Sequence, residues 1–350
     1  LYDAGVNRKH RGSNGGKPSV SIQDVADEAK VSIATVSRVL NNPNLVAPVT
    51  SERVNAAIQR LGYVPNAFAQ GLITRASRML GIALPDIHGE FYSELLRGAD
   101  AEARRRNYHL LVSSDTRVSA SPARGRSLAF GLVDGLAVMI TEPNDRVWRE
   151  ARDLHLPVVV MDFEVDEPKV DMILVDNAVG TREAVEHLLE SVAGDRLYFV
   201  GGPRENFDTQ RRASTFAKTL RERGVQVRDD HVAYGDYSVR WGQAWAKGMG
   251  ASLRGAGVLA GNDEIALGIL HGAEDLKLDV PRDVKIVGFD DTRIASLVRP
   301  SLSTVRVPLA EVGAAAVAAL VERVEDPERP GVKIRLDTKL IVRESSGGAK

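Results

Sequence analysis

Short amphipathic stripes open the ordered part of the chain. Ile22, Val25, Ala26 and Ala29 recur at spacings of three and four, Val36, Val39 and Leu40 repeat the pattern, and Val54, Ala57, Ile58 and Leu61 form a third stripe. Three short helices are predicted. Ser21 and Ser32 stand where they can cap the first two, Thr50 where it can cap the third, and Gly62 follows Leu61 as a C-terminal stop. The next segment, NAFAQGLITRAS, is too short to hold a helix in water by itself, and Gly71 weakens it by about 1 kcal/mol relative to Ala. It reads as a linker that is helical only when supported. From Met79 the pattern changes to apolar runs alternating with amphipathic stretches: LGIALP, HLLVSS, GLAVMI, PVVVMD, RLYFVGG, GVLAGND and VKIVGFDD. Such alternation predicts βαβ units with parallel sheets, grouped into two similar lobes. Ligands in these folds sit at the carboxyl ends of strands, so Asp86, Asp162, Asn262 and Asp290, each directly after a run, become site candidates. The tail KIRLDTKLIVRES alternates like a late edge strand.

Composition narrows the function classes. With 350 residues, 43% hydrophobic and 27% charged, the chain suits a small domain plus a large one. The absence of cysteine excludes disulfides, a thiolate nucleophile and a cysteine zinc site, and fits a reducing compartment, with the cytoplasm expected. Residues 1–20 lack an apolar signal region and no run of 18 apolar residues occurs, which argues against secretion and membrane insertion. That leader reads as an unstructured tail, native or vector-derived. The net charge of -1 hides an asymmetry: residues 1–80 hold ten Lys and Arg against five Asp and Glu, while the remainder holds 36 against 42. A basic head on an acidic body suits a nucleic-acid binder with a regulatory module, although an unstructured basic leader alone would produce the same balance.

A helix, a tight turn at Lys30-Val31 and a second helix make a helix-turn-helix arrangement, whose second helix would enter the DNA major groove. With Val36, Val39 and Leu40 turned inward, the outward positions are Ile33, Ala34, Thr35, Ser37, Arg38 and Asn41. Arg suits guanine O6 and N7, apolar side chains meet a thymine methyl, and Ser, Thr and Asn suit phosphates. Spacing alone leaves open a plain helical hairpin with a solvated face.

The strings DVADEAKVSIATVSRVLNN and VNAAIQRLGYVPNAFAQGL resemble the headpiece and hinge of the lactose-repressor/galactose-repressor (LacI/GalR) transcription factors. The likeness continues through PDIHGEFYSELLRGAD, VDNAVGTREAVEHLLE, VGGP, AGNDEIALG and VGFDDT, from Ser21 to Arg343. The resemblance implies that Ile33 and Ala34 read bases, that Arg38 meets a guanine, and that Thr35, Ser37, Asn41 and Asn66 contact phosphates. It makes Leu72 the hinge-helix wedge at the operator centre. In the body it implies that Arg212, Asn262 and Asp290 hydrogen-bond a ligand, with Asp162 close by and Tyr92 and Tyr237 as aromatic walls. That mix suits a polyol: carboxylate and guanidinium span adjacent hydroxyls, and ring faces cover C–H surfaces. Lys30 departs from the glycine common in the turn, Gly71 from longer polar residues, Gln210 from a second arginine and Thr215 from a glycine. The ligand is therefore not assumed to match a known one.

Signals of enzymes are weak: GSNGGKP misses the P-loop spacing, VGGP is not GxGxxG, and the seven histidines form no HExxH pair. The fold class expected is a small all-α helix-turn-helix headpiece plus a two-lobed α/β, periplasmic-binding-protein-like domain with parallel sheets. Its divisions are a leader 1–19, a headpiece 20–65, a hinge 66–77 and an effector-binding and dimerisation domain 78–350. One lobe takes 78–175 with part of 305–335; the other takes 176–304 with the C-terminal strand. The expected function is a repressor, not an enzyme, that binds a pseudo-palindromic operator in double-stranded DNA as a homodimer or higher oligomer. A small sugar-like effector controls it, and no cofactor, metal or membrane is implied. The alternatives are a solute-binding protein or sugar-acting α/β enzyme without DNA binding, or a family member that answers to a phosphoprotein corepressor.

Overall fold

A computed structural model of the chain describes residues 20–63, 77–114, 132–141, 146–153 and 155–348. They divide between Ser77 and Arg78 into two compact units. Asn66 and Leu72, assigned to the hinge, lie outside the described residues.

The first unit holds α1 (Ile22–Ala29), α2 (Ile33–Asn41) and α3 (Pro48–Leu61). Its core is small: Val25, Ala26, Ala29, Val36, Val39, Val54 and Ala57 meet at the centre. With so little apolar bulk the helix ends matter, and two are well capped. Ser21 and Asp24 form a reciprocal capping box, in which the Asp24 carboxylate accepts the Ser21 amide at 2.8 Å and the Ser21 hydroxyl accepts the Asp24 amide at 3.3 Å. Ser32 caps α2 through the Thr35 amide at 3.2 Å. The third cap differs from expectation. Helix α3 begins at Pro48, whose ring presets the backbone and has no N–H to satisfy, so Thr50 falls inside the first turn and caps nothing. Lys30 takes the left-handed conformation, φ 50°, where a non-glycine residue costs about 1 kcal/mol. Glycine serves the same role at the end of α3, with Gly62 at φ 63°. An Arg60–Glu28 ion pair ties α3 to α1.

The second unit contains two six-stranded sheets of the same order. The first runs β11-β5-β4-β3-β1-β2, with β1 at Met79–Ala83, β2 at His109–Ser113, β3 at Gly135–Met139, β4 at Val158–Met161, β5 at Asp171–Asp176 and β11 at Lys333–Asp337. The second runs β12-β10-β9-β8-β6-β7, with β6 at Leu197–Gly201, β7 at Val232–Tyr234, β8 at Ala256–Ala260, β9 at Val284–Asp290, β10 at Ser303–Arg306 and β12 at Lys339–Ile341. All pairings are parallel except β10 with β12. In each sheet the winding reverses beside the first strand, which leaves a crevice at the strand ends between β1 and β3 and between β6 and β8. The tail is not one edge strand. It divides at Thr338 into β11 and β12, one for each sheet. Among the described residues no helix is long and apolar enough to cross a membrane.

Each lobe packs a helix pair through glycines. A Cβ at Gly313 would lie 2.0 Å from the Leu95 carbonyl oxygen, so helix Leu309–Glu325 seats directly on helix Glu90–Arg105. Gly242 and Gly268 bring helix Val239–Met249 against helix Asp263–Asp275 in the same way. The return into the first sheet after helix Leu309–Glu325 is held by a buried ion pair. Arg323 Nε and Nη2 reach the two Asp171 oxygens at 3.0 and 3.1 Å, and Asp171 also accepts the Val332 amide at 2.8 Å. Asp171→Ala leaves the Arg323 guanidinium buried without its counter-charge. A stability loss of about 3–5 kcal/mol is expected, read as a lower urea midpoint; a loss under about 1 kcal/mol would place the pair among those of surface strength.

Candidate functional site

The exposed face of α2 carries three of its six candidate residues outright. Ile33 is 43% exposed, and Ala34 and Arg38 are exposed beside it. Thr35 and Ser37 are only half-buried rather than outward, a correction with a local cause at Thr35: its hydroxyl lies 2.9 Å from the hydroxyl of the capping Ser32. Asn41 ends the helix, and its side chain is outside the described residues. The charge of this unit also departs from the sequence reading. Within 20–63, Lys30, Arg38, Arg53 and Arg60 balance Asp24, Asp27, Glu28 and Glu52, so the basic surplus belongs to segments on either side.

The second unit brings all six body candidates to one cavity of about 220 Å³ between the lobes. Tyr92 and Asp162 come from the first lobe; Arg212, Tyr237, Asn262 and Asp290 come from the second. Strand ends place the carboxylates. Asp162 directly follows β4 and Asp290 ends β9, and both have left-handed backbones, φ 64° and 106°. A non-glycine residue there costs of order 1–3 kcal/mol, strain that persists only where the surroundings impose it. At Asp290 they do. Buried Asp263 accepts the Thr292 amide at 2.8 Å, the Thr292 hydroxyl at 2.9 Å and the Thr304 hydroxyl at 2.6 Å, which fixes the turn after β9.

Arg212 is more committed to the protein than a pure ligand clamp. Its Nε donates to Asn177 Oδ1 at 2.8 Å, its Nη1 donates to the Gly261 carbonyl at 2.6 Å, and the guanidinium lies 3.7 Å over the Phe289 ring. Asp290 and Asp208 stand 3.9 and 3.8 Å from its nitrogens. Asn262 is likewise half engaged: its Oδ1 caps helix Asp263–Asp275 through the Ile265 amide at 2.9 Å, which leaves its amide nitrogen for a ligand. The Tyr237 hydroxyl donates to Asn206 Oδ1 at 3.0 Å and lies 2.6 Å from the Thr209 hydroxyl, so the ring is locked as a wall. Direct bonds also join the lobes. The Phe207 amide donates to the Thr141 carbonyl at 2.9 Å, Arg211 donates to the Asp162 carbonyl at 3.1 Å, Phe163 stacks on Phe207 at 4.3 Å, and the Ile294 amide donates to Glu90 at 3.1 Å.

Electrostatics set the character of the cavity. Burial, reinforced by Asp208, raises the Asp162 carboxyl to about 8. Burial also raises Asp290 well above the usual range, despite Arg212 and with Asp263, Asp208 and Glu264 adding repulsion. One oxygen of each, Oδ1, is buried without a hydrogen-bond partner. Burial with Asp86 and Glu90 raises Glu264 as well. Sequence reasoning missed Asn206, Asp208 and Glu264 on the cavity wall. Asp208 was legible in principle, since it precedes Arg212 by four residues and so shares its helical face.

The family description "Bacterial regulatory proteins, lacI family" matches residues 21–66, and "Periplasmic binding protein-like domain" matches 185–346. Catabolite control protein A of Priestia megaterium is 33% identical over 331 residues, covering 94% of this chain and 99% of that protein. Among solved structures, the lac repressor dimer bound to operator and the anti-inducer ONPF is similar with a TM-score of 0.82 and 26% identity, over 94% of this chain and 99% of that one. A complex of the transcriptional regulator CelR with cellobiose gives 0.71 and 26%, over 93% and 100%.

The raised carboxyl of Asp162 has a consequence for stability. Between pH 4 and about 8 the folded chain holds a proton there that the unfolded chain has lost, so this group makes stability fall as pH rises through that window. Asp162→Asn removes the effect. At pH 8.5 the variant should melt above the parent by about 4 °C or more, at roughly 2–4 °C per kcal/mol, and the gap should narrow steadily as pH falls and close by about pH 4. An equal or lower melting temperature at pH 8.5 contradicts this electrostatic assignment.

Proposed function

The chain belongs to the lacI family of bacterial regulatory proteins and is a DNA-binding regulator of transcription, and we propose that a small polyhydroxylated ligand in the interlobe cavity sets its operator affinity. The observation that carries the ligand half is the meeting of Asp162, Arg212, Asn262 and Asp290, from strand ends of both lobes, between the rings of Tyr92 and Tyr237. Drug-sized ligands occupy roughly 300–1,000 Å³. A cavity of about 220 Å³ suits something smaller, of the size of one sugar ring. The unpartnered Oδ1 atoms of Asp162 and Asp290 can exchange hydrogen bonds with ligand hydroxyls, and the amide nitrogen of Asn262 supplies a donor.

On the DNA side, Ile33, Ala34 and Arg38 of α2 are the base-reading residues in this proposal, with Thr35, Ser37, Asn41 and Asn66 on phosphates and Leu72 as a minor-groove wedge. The protein acts as a homodimer on a pseudo-palindromic operator, as a repressor, in the cytoplasm where its DNA is. The cavity is read as a binding site because the chain belongs to a family of regulatory proteins and the cavity lies between the two lobes of its binding-protein-like body. A ligand moves the operator equilibrium only by its differential affinity for two states of the dimer. A 100-fold change in operator affinity needs about 2.7 kcal/mol of such coupling.

Two measurements test this function. Sugars, polyols, sugar phosphates and purines are screened against the full chain by thermal shift, and each hit is titrated into an operator gel shift. At least one sugar or polyol should raise the melting temperature and change operator affinity; stabilisation by purines alone refutes the sugar-sized assignment. For the headpiece, Arg38→Ala should lose about 1–3 kcal/mol of discrimination between operator and random DNA. Unchanged discrimination in a competition gel shift removes Arg38 as a base reader.

A further inference from the structure

We infer that the ligand of this cavity carries a protonated amine, as an amino sugar or a comparable amine-bearing polyol does. The inference rests on the reading of the cavity as the effector site and specifies the charge of what it holds.

Five acids line the cavity, Asp86, Asp162, Asp208, Glu264 and Asp290, against one guanidinium on the wall, Arg212, with Arg211 bonded to the Asp162 backbone outside it. Arg212 is already engaged by Asn177, by the Gly261 carbonyl and by the Phe289 ring, and its nearest carboxylate oxygens stand 3.8 and 3.9 Å away, beyond hydrogen-bond distance. Two of the acids find local donors. Asp86 accepts the backbone amides of Ile87 and His88 at 2.7 and 3.1 Å and lies 2.6 Å from the His88 ring, while Asp208 accepts the side-chain Nδ2 of Asn177 at 2.8 Å. Asp162 and Asp290 do not: 4% and 6% exposed, each has an oxygen buried with no donor.

The like charges oppose one another across the lobes. Asp162 of the first lobe feels Asp208 of the second, and Glu264 of the second feels Asp86 and Glu90 of the first. Ligands of three charge types fare differently in such a place. A sugar phosphate or sugar acid adds negative charge to a surplus of it. A neutral polyol gives hydroxyl donors and leaves the surplus standing. An ammonium gives up to three donors, attracts the ionised Asp208 and Asp86, and favours proton release from Asp162 and Asp290 so that they become its counter-charges, in a setting where charge interactions exceed those in water. Its place is at Asp162 and Asp208, the acids that face each other from opposite lobes, with the hydroxyls turned to Asp290 and Asn262 and the C–H faces to Tyr92 and Tyr237.

The test uses matched sets on the full chain by calorimetry: glucosamine, galactosamine and mannosamine; their N-acetyl derivatives; glucose, galactose and mannose; and the hexose 6-phosphates. At least one amine should bind about 10-fold or more tightly than both its N-acetyl derivative and its parent hexose. In Asp162→Asn that amine-to-parent ratio should fall towards one, a change that a merely structural role for Asp162 does not produce. Parent hexoses that bind as well as the amines, or 6-phosphates that bind best, overturn the amine and leave the cavity a sugar site. Binding by none of the sets overturns the sugar-sized site and the amine together.

Discussion

The three chain crossings between the lobes are the constraint on which the cavity depends. Each lobe is assembled from segments far apart in sequence, so the polypeptide passes between them after Asp176, after Arg306 and at Thr338. Thr338 pins these passages together. Its buried hydroxyl donates to the Asp176 carbonyl at 2.7 Å and accepts the Gly180 amide at 2.9 Å, so the third crossing is bonded to the first. Gly180 completes the junction by its lack of a side chain: a Cβ there would lie 2.2 Å from Val305, which leads into the second crossing, and 2.6 Å from the Thr338 hydroxyl. A rotation of one lobe on the other would therefore pivot at this buried junction. Its displacement would be greatest at the cavity, where the lobes meet through a few single bonds and one ring stack.

The cavity is costly for the folded chain. Two strand-end aspartates combine left-handed backbones with buried, unpartnered oxygens, and Asp263 beneath them is itself raised to about 7 by burial. None of these choices serves stability, since a buried polar group without a partner costs about 1–3 kcal/mol. The surrounding fold offsets the cost through apolar cores under both sheets and through close helix pairs that admit no extra methyl group. Left-handed non-glycine backbones and unpartnered buried polar atoms each occur elsewhere among the described residues, but they coincide at Asp162 and Asp290, and that coincidence marks a site shaped by what it binds.

Much of this was legible in the residues. Spacing gave the three headpiece helices, and the caps at Ser21 and Ser32 followed from hydroxyls beside apolar stripes. The strand-end rule selected Asp86, Asp162, Asn262 and Asp290, and all four line the cavity. What stayed hidden depended on partners distant in sequence. Thr338 looked like one more residue of an alternating tail, because its role as a divider comes from Asp176 and Gly180, some 160 positions away. The engagement of Arg212 by Asn177 and Gly261 is a tertiary fact of the same kind. Thr50 failed as a cap for a local reason that could have been weighed, since Pro48 two residues earlier is a strong first-turn residue. The basic balance of residues 1–80 misled about place: it was true of the segment and untrue of the folded headpiece within it.

The link from ligand to DNA requires a term that differs between two lobe arrangements, and like charge across the cleft supplies one. The direct interlobe bonds favour closure whether or not a ligand is present, so they contribute nothing differential by themselves. When the cavity is empty, closure carries a cost: beside Asp208 the buried Asp162 must hold a proton, and Glu264 is set against Asp86 and Glu90. That cost falls as the lobes part and water enters, because the interaction weakens with distance and dielectric. A ligand that donates to these carboxylates removes the cost only in the closed arrangement. Its affinity for the closed form would therefore exceed that for the open form by the cost it relieves, and the acids that destabilise the empty site are the groups through which binding would favour closure.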